Sequence, residues 1–376
     1  MIFKRLVANL VQKVLFQGKI IVLYGPRRVG KTTLVKQIIE QYSDQSLYLN
    51  CDEPDVRQSL TDKTSTELIG LAGTKKLVVI DEAQRIPNIG LTLKLLVDNA
   101  PQIQVIATGS GSFDLSNKIN EPLTGRAHQF LLTPLSLGEI YPDLLTANRM
   151  LETRLIYGGY PEVVIRPEQA NTYLRGLYQN YLYKDALEYQ HLKKPELVDK
   201  LLSALALQIG GEVSLTELGG LLGVDKTTVA RYIYLLEQAF VIFRLPPLSR
   251  NLRKEINKTR KIYFWDTGIR NAIINNFNPL SLRNDIGALW ENFVIVERSK
   301  RNMNIGSSPN CYFWRTWTKQ EIDYIEDSGG QLKAFEIKWQ KPKKTAPSSW
   351  RQAYSAAGWE TITKENYWDF LLTPKT

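Results

Sequence analysis

Near the start of the chain, Gly25-Pro26-Arg27-Arg28-Val29-Gly30-Lys31-Thr32-Thr33 sets two glycines, a lysine and a hydroxyl at the spacing G-x-x-x-x-G-K-[ST]. The glycines let backbone N–H groups curl around phosphate oxygens. Lys31 then reaches the terminal phosphates, and the Thr32 hydroxyl can bind Mg²⁺ where a helix begins. The run from Gly25 to Thr33 is therefore the expected seat of ATP with Mg²⁺. Further along, KLVVIDE ends in two adjacent carboxylates. Asp81 is expected to hold Mg²⁺, and Glu82 to orient and polarise the water that attacks the γ-phosphate, which points to hydrolysis rather than passive binding. IQVIATGS ends in Thr108 and Ser110, where a hydroxyl could sense the γ-phosphate or where Gly109 and Gly111 could simply form a turn. Arg126, in EPLTGRAHQF, is placed either to reach the nucleotide of a neighbouring subunit in a homo-oligomer or to form an ordinary surface ion pair.

These groups need a scaffold that brings strand ends together. The runs at 19–25, 46–52, 76–82, 103–110 and 128–135 are apolar with little alternation, as expected of strands covered on both faces. Helix-like segments separate them, so the pattern is a parallel α/β sheet with crossover helices, whose ligands bind at the carboxyl ends of the strands. Before the first strand, Phe3, Leu6, Val7, Leu10, Val11, Val14 and Leu15 recur at helical spacing, which predicts an amphipathic helix packed on this domain, the alternative being a removable leader or a membrane-surface helix.

Composition narrows the classes. A chain of 376 residues with 43% hydrophobic and 23% charged residues is globular and long enough for two or three domains. Cys51 and Cys311 are too few and too far apart for a disulfide framework, which suits a reducing, cytoplasmic setting. His128 and His191 cannot form a histidine metal centre, so any metal must sit on oxygen ligands. No run approaches the roughly 18–20 apolar residues of a membrane span. The net charge of +10 is uneven, with +2 in residues 1–145 and +8 in residues 146–376, so a polyanion is expected to dock on the second part.

GPRRVGKT, VVIDEAQRIP, ATGS, TGRAHQFLLTPLSLGEI and YGGYPEVV together resemble the bacterial and archaeal AAA-type ATPases of the additional-strand class that carry a C-terminal domain of unknown function. The resemblance implies a sensor strand lying between the P-loop strand and the DEAQ strand. It also implies a helical lid, a winged helix and a nuclease-like terminal domain. The expected layout is a P-loop ATPase domain at 1–145, the lid at 146–195, the winged helix at 196–265 and a restriction-endonuclease-like α/β domain at 266–376.

The second part carries its own signals. Segments 196–210, 215–223 and 225–239 have helical patterning, with Asp225 as an N-cap and Val229, Ile233, Leu236 and Phe240 on one face of the last helix. Lys226, Thr227, Thr228 and Arg231 then lie at the exposed start of a recognition-type helix. Between two β-like runs, residues 244–261 hold seven basic side chains (Arg244, Arg250, Arg253, Lys254, Lys258, Arg260 and Lys261) against Glu255. Such a wing can rest on DNA phosphates, dock a protein partner, or remain solvated. Residues 333–351 are a second basic cluster. Near the end, EIDYIEDSGGQLKAFEIKW predicts a hairpin turning at 327–330, with Asp323 beside Glu336 and with Glu336 and Lys338 on one face. Asp323 and Glu336 around a lysine make a metal-assisted phosphodiester-cleaving set, similar to the PD-(D/E)xK nuclease core. Glu291, on an upstream helix, is the expected additional metal ligand. No proline precedes Asp323, a departure from that pattern, and such cores also persist as inactive DNA platforms. The tryptophans crowding this region, Trp314, Trp317, Trp339, Trp350, Trp359 and Trp368, are expected in the core or an interface.

Overall fold

A computed structural model describes residues 2–110, 122–182, 195–248, 260–341 and 345–372. Its first sheet contains β1 (Ile20–Tyr24), β2 (Ser46–Asn50), β3 (Leu77–Asp81), β4 (Gln104–Gly109) and β5 (Ala127–Leu131) in the order β2-β3-β4-β1-β5. Every pairing is parallel. All five expected strands form, and the sensor strand β4 lies between the P-loop strand β1 and the DEAQ strand β3. β3 and β4 are buried along their whole length, which is why their sequences show no alternation.

The amino-terminal helix is Val7–Val14, and its Val7 and Val11 pack in one apolar cluster with Ile21 and Leu34. It is shorter than its apolar spacing suggests, because residues 2–5 have no helical conformation and carry Arg5 inward. Beyond the sheet come helices Leu137–Ile140, Leu144–Tyr157, Pro161–Ile165 and Ala170–Leu177.

Three helices follow, Pro195–Leu207, Leu215–Leu222 and Lys226–Gln238, with β6 (Glu212–Val213), β7 (Ile242–Leu245) and β8 (Arg260–Phe264). Asp225 caps the third helix as its sequence predicts, accepting the N–H groups of Thr227 and Thr228 at 2.8 and 2.9 Å. The strands form an antiparallel sheet in the order β6-β8-β7.

The carboxyl-terminal part opens with helix Ile286–Asn304. It continues through β9 (Asn310–Arg315), β10 (Glu321–Ser328), β11 (Gln331–Ile337), helix Ser348–Ala353 and β12 (Gly358–Ile362). The sheet order is β12-β11-β10-β9, antiparallel except for the parallel pair β11 and β12. The predicted hairpin is present, with Gly329 and Gly330 both at positive φ in its turn. Trp314, Trp350 and Trp368 are buried, but Trp317 is fully exposed, so of the two roles expected of the group only an interface stays open to it.

The units share cores rather than touching at points. Leu151 and Leu155 of the helical stretch lie in one cluster with Trp290, Phe335 and Tyr367. At this joint the buried Asp266 accepts the N–H groups of Gly159 at 2.7 Å and Ile269 at 3.0 Å, and a Cβ on Gly158 would sit 2.1 Å from its carboxylate oxygen. Gly158 also has φ +69°, a backbone that other residues adopt only with strain. We expect Gly158→Ala to cost about 1–3 kcal/mol. Denaturant unfolding of the whole chain measures this, and an unchanged midpoint would show that the joint yields freely.

Candidate functional site

At the carboxyl end of β1 the chain turns at Gly25, whose backbone passes so close to β5 that a Cβ would lie 2.1 Å from the carbonyl oxygen of Leu132. Only glycine fits that approach. Gly30, at φ +97°, is the N-cap of helix Lys31–Glu40, so the helix starts on the loop that sequence assigns to phosphate. Lys31 is 6% exposed, and its ammonium donates to the carbonyls of Gly25 at 3.0 Å and Pro26 at 2.9 Å. It is thereby aimed across the inside of the loop.

The start of helix Lys31–Glu40 and strands β2 and β4 converge on Asp81 at the end of β3. Thr32 Oγ1 donates to its Oδ2 at 2.8 Å, the Tyr48 hydroxyl donates to the same oxygen at 2.5 Å, and Thr108 Oγ1 donates to Oδ1. Burial, and then the bond to Asp81, push the Tyr48 hydroxyl well above its ordinary pKa. Thr32 and Asp81 present hard oxygen donors side by side, the chemistry that Mg²⁺ prefers.

Glu82 has φ +53°, a left-handed backbone that costs a non-glycine residue roughly 1–2 kcal/mol. The Thr108 hydroxyl accepts the Glu82 N–H at 3.1 Å, which holds this turn. Gln84 Nε2 donates to Glu82 Oε2 at 2.5 Å and to Ser110 Oγ at 3.1 Å, so the sensor-strand end is wired to the carboxylate. The sequence singles out Glu82, Thr108 and Ser110, while Gln84 carries a signal only in retrospect, from its place two residues after Glu82.

Arg126 stands elsewhere. It precedes β5 at the end where Ala127 pairs with Ile20, whereas the P-loop follows the opposite end of β1. Its Nε donates to Asp98 at 2.7 Å on the surface. Of the two roles open to it, this chain displays the surface ion pair, and its position faces away from its own P-loop.

Arg5 has no motif to announce it, yet it clamps the loop from behind. It donates to the carbonyls of Val29 at 2.7 Å and Thr133 at 2.8 Å and pairs with Glu139 at 3.0 Å. Glu139 also caps its own helix by accepting the N–H of Ser136 and accepts that of Leu6. Beside this clamp lies a cavity of about 170 Å³, lined by Ile2, Phe3, Gly30, Leu34, Gln37, Pro161 and Ile165 among others.

A second cluster forms in the carboxyl-terminal sheet. Lys338 Nζ lies 2.9 Å from Glu336 Oε1 and 3.1 Å from Asp323 Oδ2, so the three residues that sequence grouped do meet. A register shift in β10 between Ile322 and Ile325 inserts an extra residue there, the kind of bulge that re-aims a side chain. Glu291 joins through an intermediary. Its Oε1 receives Lys261 Nζ at 3.0 Å and the Tyr263 hydroxyl at 2.7 Å, and Lys261 also contacts Glu321 at 2.5 Å. Burial, and then the nearby charge of Asp323, push the Glu291 carboxyl up to about 7.

Lys261 corrects the expected basic wing, because it is 2% exposed and points into the protein. Arg244 likewise pairs with Glu237 at 2.5 Å. Arg250, Arg253, Lys254 and Lys258, with Lys343 and Lys344 of the second basic cluster, lie outside the described residues, as does His191. Lys226 and Arg231 are exposed at the start of helix Lys226–Gln238, as expected.

Comparison with known proteins bears on the domain that carries the first site. Residues 17–141 match the AAA domain, which implies nucleotide binding, usually with Mg²⁺, and ATPase-type activity. Residues 148–280 and 286–366 match two domains of unknown function, DUF8612 and DUF4143. An uncharacterized protein of Mycobacterium tuberculosis is 28% identical over 362 residues, covering 95% of this chain and 77% of the relative. Uncharacterized proteins of Methanocaldococcus jannaschii (26% over 339 residues, 83% of this chain and 73% of the relative) and Haemophilus influenzae (23% over 354 residues, 86% and 83%) are also similar. No described helix is long and apolar enough to cross a membrane.

The clamp makes a direct expectation. Arg5→Ala leaves the buried Glu139 without its cation and strips two carbonyls of their donor, which we expect to cost about 3–5 kcal/mol. Urea unfolding of Arg5→Ala beside Arg5→Lys measures it, with partial recovery expected in the lysine variant. A loss below about 1 kcal/mol would place the pair among weak surface bridges.

Proposed function

We propose that this chain is an ATP-hydrolysing AAA-type protein that works on DNA through its second half. The observation that carries the first clause is the convergence of Lys31, Thr32, Asp81 and Glu82 at the ends of β1 and β3. Thr32 and Asp81 would hold Mg²⁺, which supplies neutralisation of phosphate charge when bound. Lys31 binds the terminal phosphates, and Glu82, tied through Gln84 to Ser110, orients the attacking water and accepts its proton. The mostly apolar cavity beside Arg5, with Gln37 and Thr33 among its polar groups, would seat the nucleobase. Arg126 is free of the loop's own geometry and would act, if at all, on a neighbour in a homo-oligomer.

The DNA clause rests on shape and charge. The three helices with the sheet order β6-β8-β7 support a winged helix, and Lys226, Thr227, Thr228 and Arg231 lie on its exposed helix start. The helix, three antiparallel strands, helix and parallel fourth strand that follow, with Asp323, Glu336 and Lys338 meeting at the sheet, support the nuclease-like core. A second reading, a nucleotide-switched assembly or signalling module whose nuclease-like part is inactive, is favoured by the ion pairing of those carboxylates with lysine.

Lys31→Ala is expected to abolish nucleotide binding. Glu82→Gln should bind ATP normally but turn it over at least roughly 100-fold more slowly. Equal turnover in Glu82→Gln and the wild type would remove Glu82 from its role. Lys226→Ala/Arg231→Ala should weaken binding to duplex DNA in fluorescence anisotropy and make it less salt-dependent. Nucleotide-dependent oligomerisation with no DNA binding at low salt would move the function to the second reading.

A further inference from the structure

The likeness to a nuclease core implies a divalent cation on Asp323, Glu336 and Glu291, and the donor set as arranged does not fit one. Asp323 Oδ2 receives the Ile337 N–H at 2.8 Å and the Lys338 ammonium at 3.1 Å, and Glu336 Oε1 faces the same ammonium at 2.9 Å. Glu291 Oε1 and Glu321 Oε1 are taken by Lys261 at 3.0 and 2.5 Å, and Asp323 Oδ1 lies 3.9 Å from that ammonium. Among the described residues no group of three or more histidine, cysteine, aspartate or glutamate side chains is arranged to hold a metal. A divalent cation would have to share its oxygens with an ammonium at contact distance, where like charges in a buried site repel strongly.

Lys261 does not belong to the same unit as the carboxylates. It lies on β8, which pairs with β6 and β7, Lys261 itself standing opposite Glu212 and Leu245. Alternation puts Lys261 and Tyr263 on one face, and both reach Glu291. Asn292, the next residue of that helix, exchanges two hydrogen bonds with the Phe264 backbone, at 2.7 and 3.0 Å, and fixes the register of the approach. A lysine that is 2% exposed needs such partners, because an unpaired buried ammonium is not tolerated.

We propose that Lys261 is a built-in counter-ion, delivered by β8 into the acidic basin of the carboxyl-terminal sheet, and that it closes the basin to divalent cations while the two units are docked. The inference stands apart from ATP hydrolysis, but it rests on the nuclease-like reading for the implied metal, and its test separates the two. Without Lys261, the basin would hold the four carboxylates of Glu291, Glu321, Asp323 and Glu336 against two cations, Lys338 beside Asp323 and Glu336 and Arg315 at 3.7 Å from Glu321, an acidic excess that attracts a divalent cation.

The experiment titrates Mn²⁺ into the nucleotide-free full chain, followed by electron paramagnetic resonance and by thermal unfolding. The wild type and Lys261→Arg should show no binding that depends on Asp323. Lys261→Met should gain a site at least roughly tenfold tighter than any in the wild type, lost again in Lys261→Met/Asp323→Asn. If Lys261→Met fails to fold, Lys261→Met/Glu291→Gln, which removes one charge of each sign and keeps Asp323 and Glu336, takes its place in the titration. Wild-type Mn²⁺ binding that Asp323→Asn abolishes would overturn the lock and restore a standing metal centre. A folded variant without Lys261 that gains no site would overturn it in the other direction. DNA incubated with Mg²⁺ reports on the nuclease-like reading by itself. Cleavage by Lys261→Met, but not by the wild type, supports both ideas, and cleavage by the wild type overturns the lock alone.

Discussion

A charge can be buried only beside its counterpart, and one helix, Ile286–Asn304, shows how far this chain depends on that rule. It sends polar groups inward in several directions. Glu291 meets Lys261 of the neighbouring unit, and Asn292 meets the backbone of Phe264. One turn later Glu297 accepts the N–H of Leu137 at 2.7 Å, and Lys300 bonds both Glu297 and the carbonyl of Leu135. Arg298 pairs with both carboxylate oxygens of Glu326 in its own sheet, while Asn302 donates to the same group. Sliding this helix by one residue would orphan several of these groups at once. Buried pairs add little net stability over apolar packing, but breaking one is costly, so they act chiefly to fix how the units meet.

The segment from Leu132 to Ile140 is where those directions cross. Its Leu132 carbonyl crowds Gly25 of the P-loop, its Thr133 carbonyl and Glu139 hold Arg5, and Arg5 in turn holds Val29. The Leu135 N–H bonds Gly159, on the far side of helix Leu144–Tyr157, and the Leu135 carbonyl takes Lys300. A shift of the P-loop therefore bears on a stretch of chain that also touches the carboxyl-terminal helix. The contacts are packed and polar rather than loose, so a rearrangement at one end needs a matching change along the series rather than being absorbed locally.

What could be recognised in the sequence was what local spacing controls. Gly25 to Thr33, the carboxylates ending β3, the hydroxyls ending β4 and the Asp225 cap each depend on neighbours a few residues away, and all stand where the pattern puts them. The pairing of Asp323 with Glu336 was legible for the same reason, because a tight Gly329-Gly330 turn sets the register. Arg5 was not, since its partners are 24, 128 and 134 residues distant and no spacing rule spans that range. Lys261 is hidden in the sequence because a run of basic residues suggests a solvated or phosphate-binding loop, and composition does not distinguish a lysine facing water from one facing three carboxylates. Alternation along β8 could have raised the question, as it sets Lys261 on the face of Tyr263.

The ion-paired cations change what the net charge of +10 can do. Arg244 and Lys261 of the first basic segment, and Lys338 of the second, spend their charge on Glu237, Glu291, Glu321, Asp323 and Glu336. Each such pair is nearly neutral from outside, so these three contribute almost nothing to the field that a polyanion meets. Counterion release depends on the cations that reach phosphates, not on the total in the sequence. On the proposed reading, a polyanion would draw on the exposed side chains around Lys226 and Arg231 rather than on these three cations. The paired cations, of which Lys261 alone is fully buried, do a different task, since they decide which carboxylates are left to hold anything else.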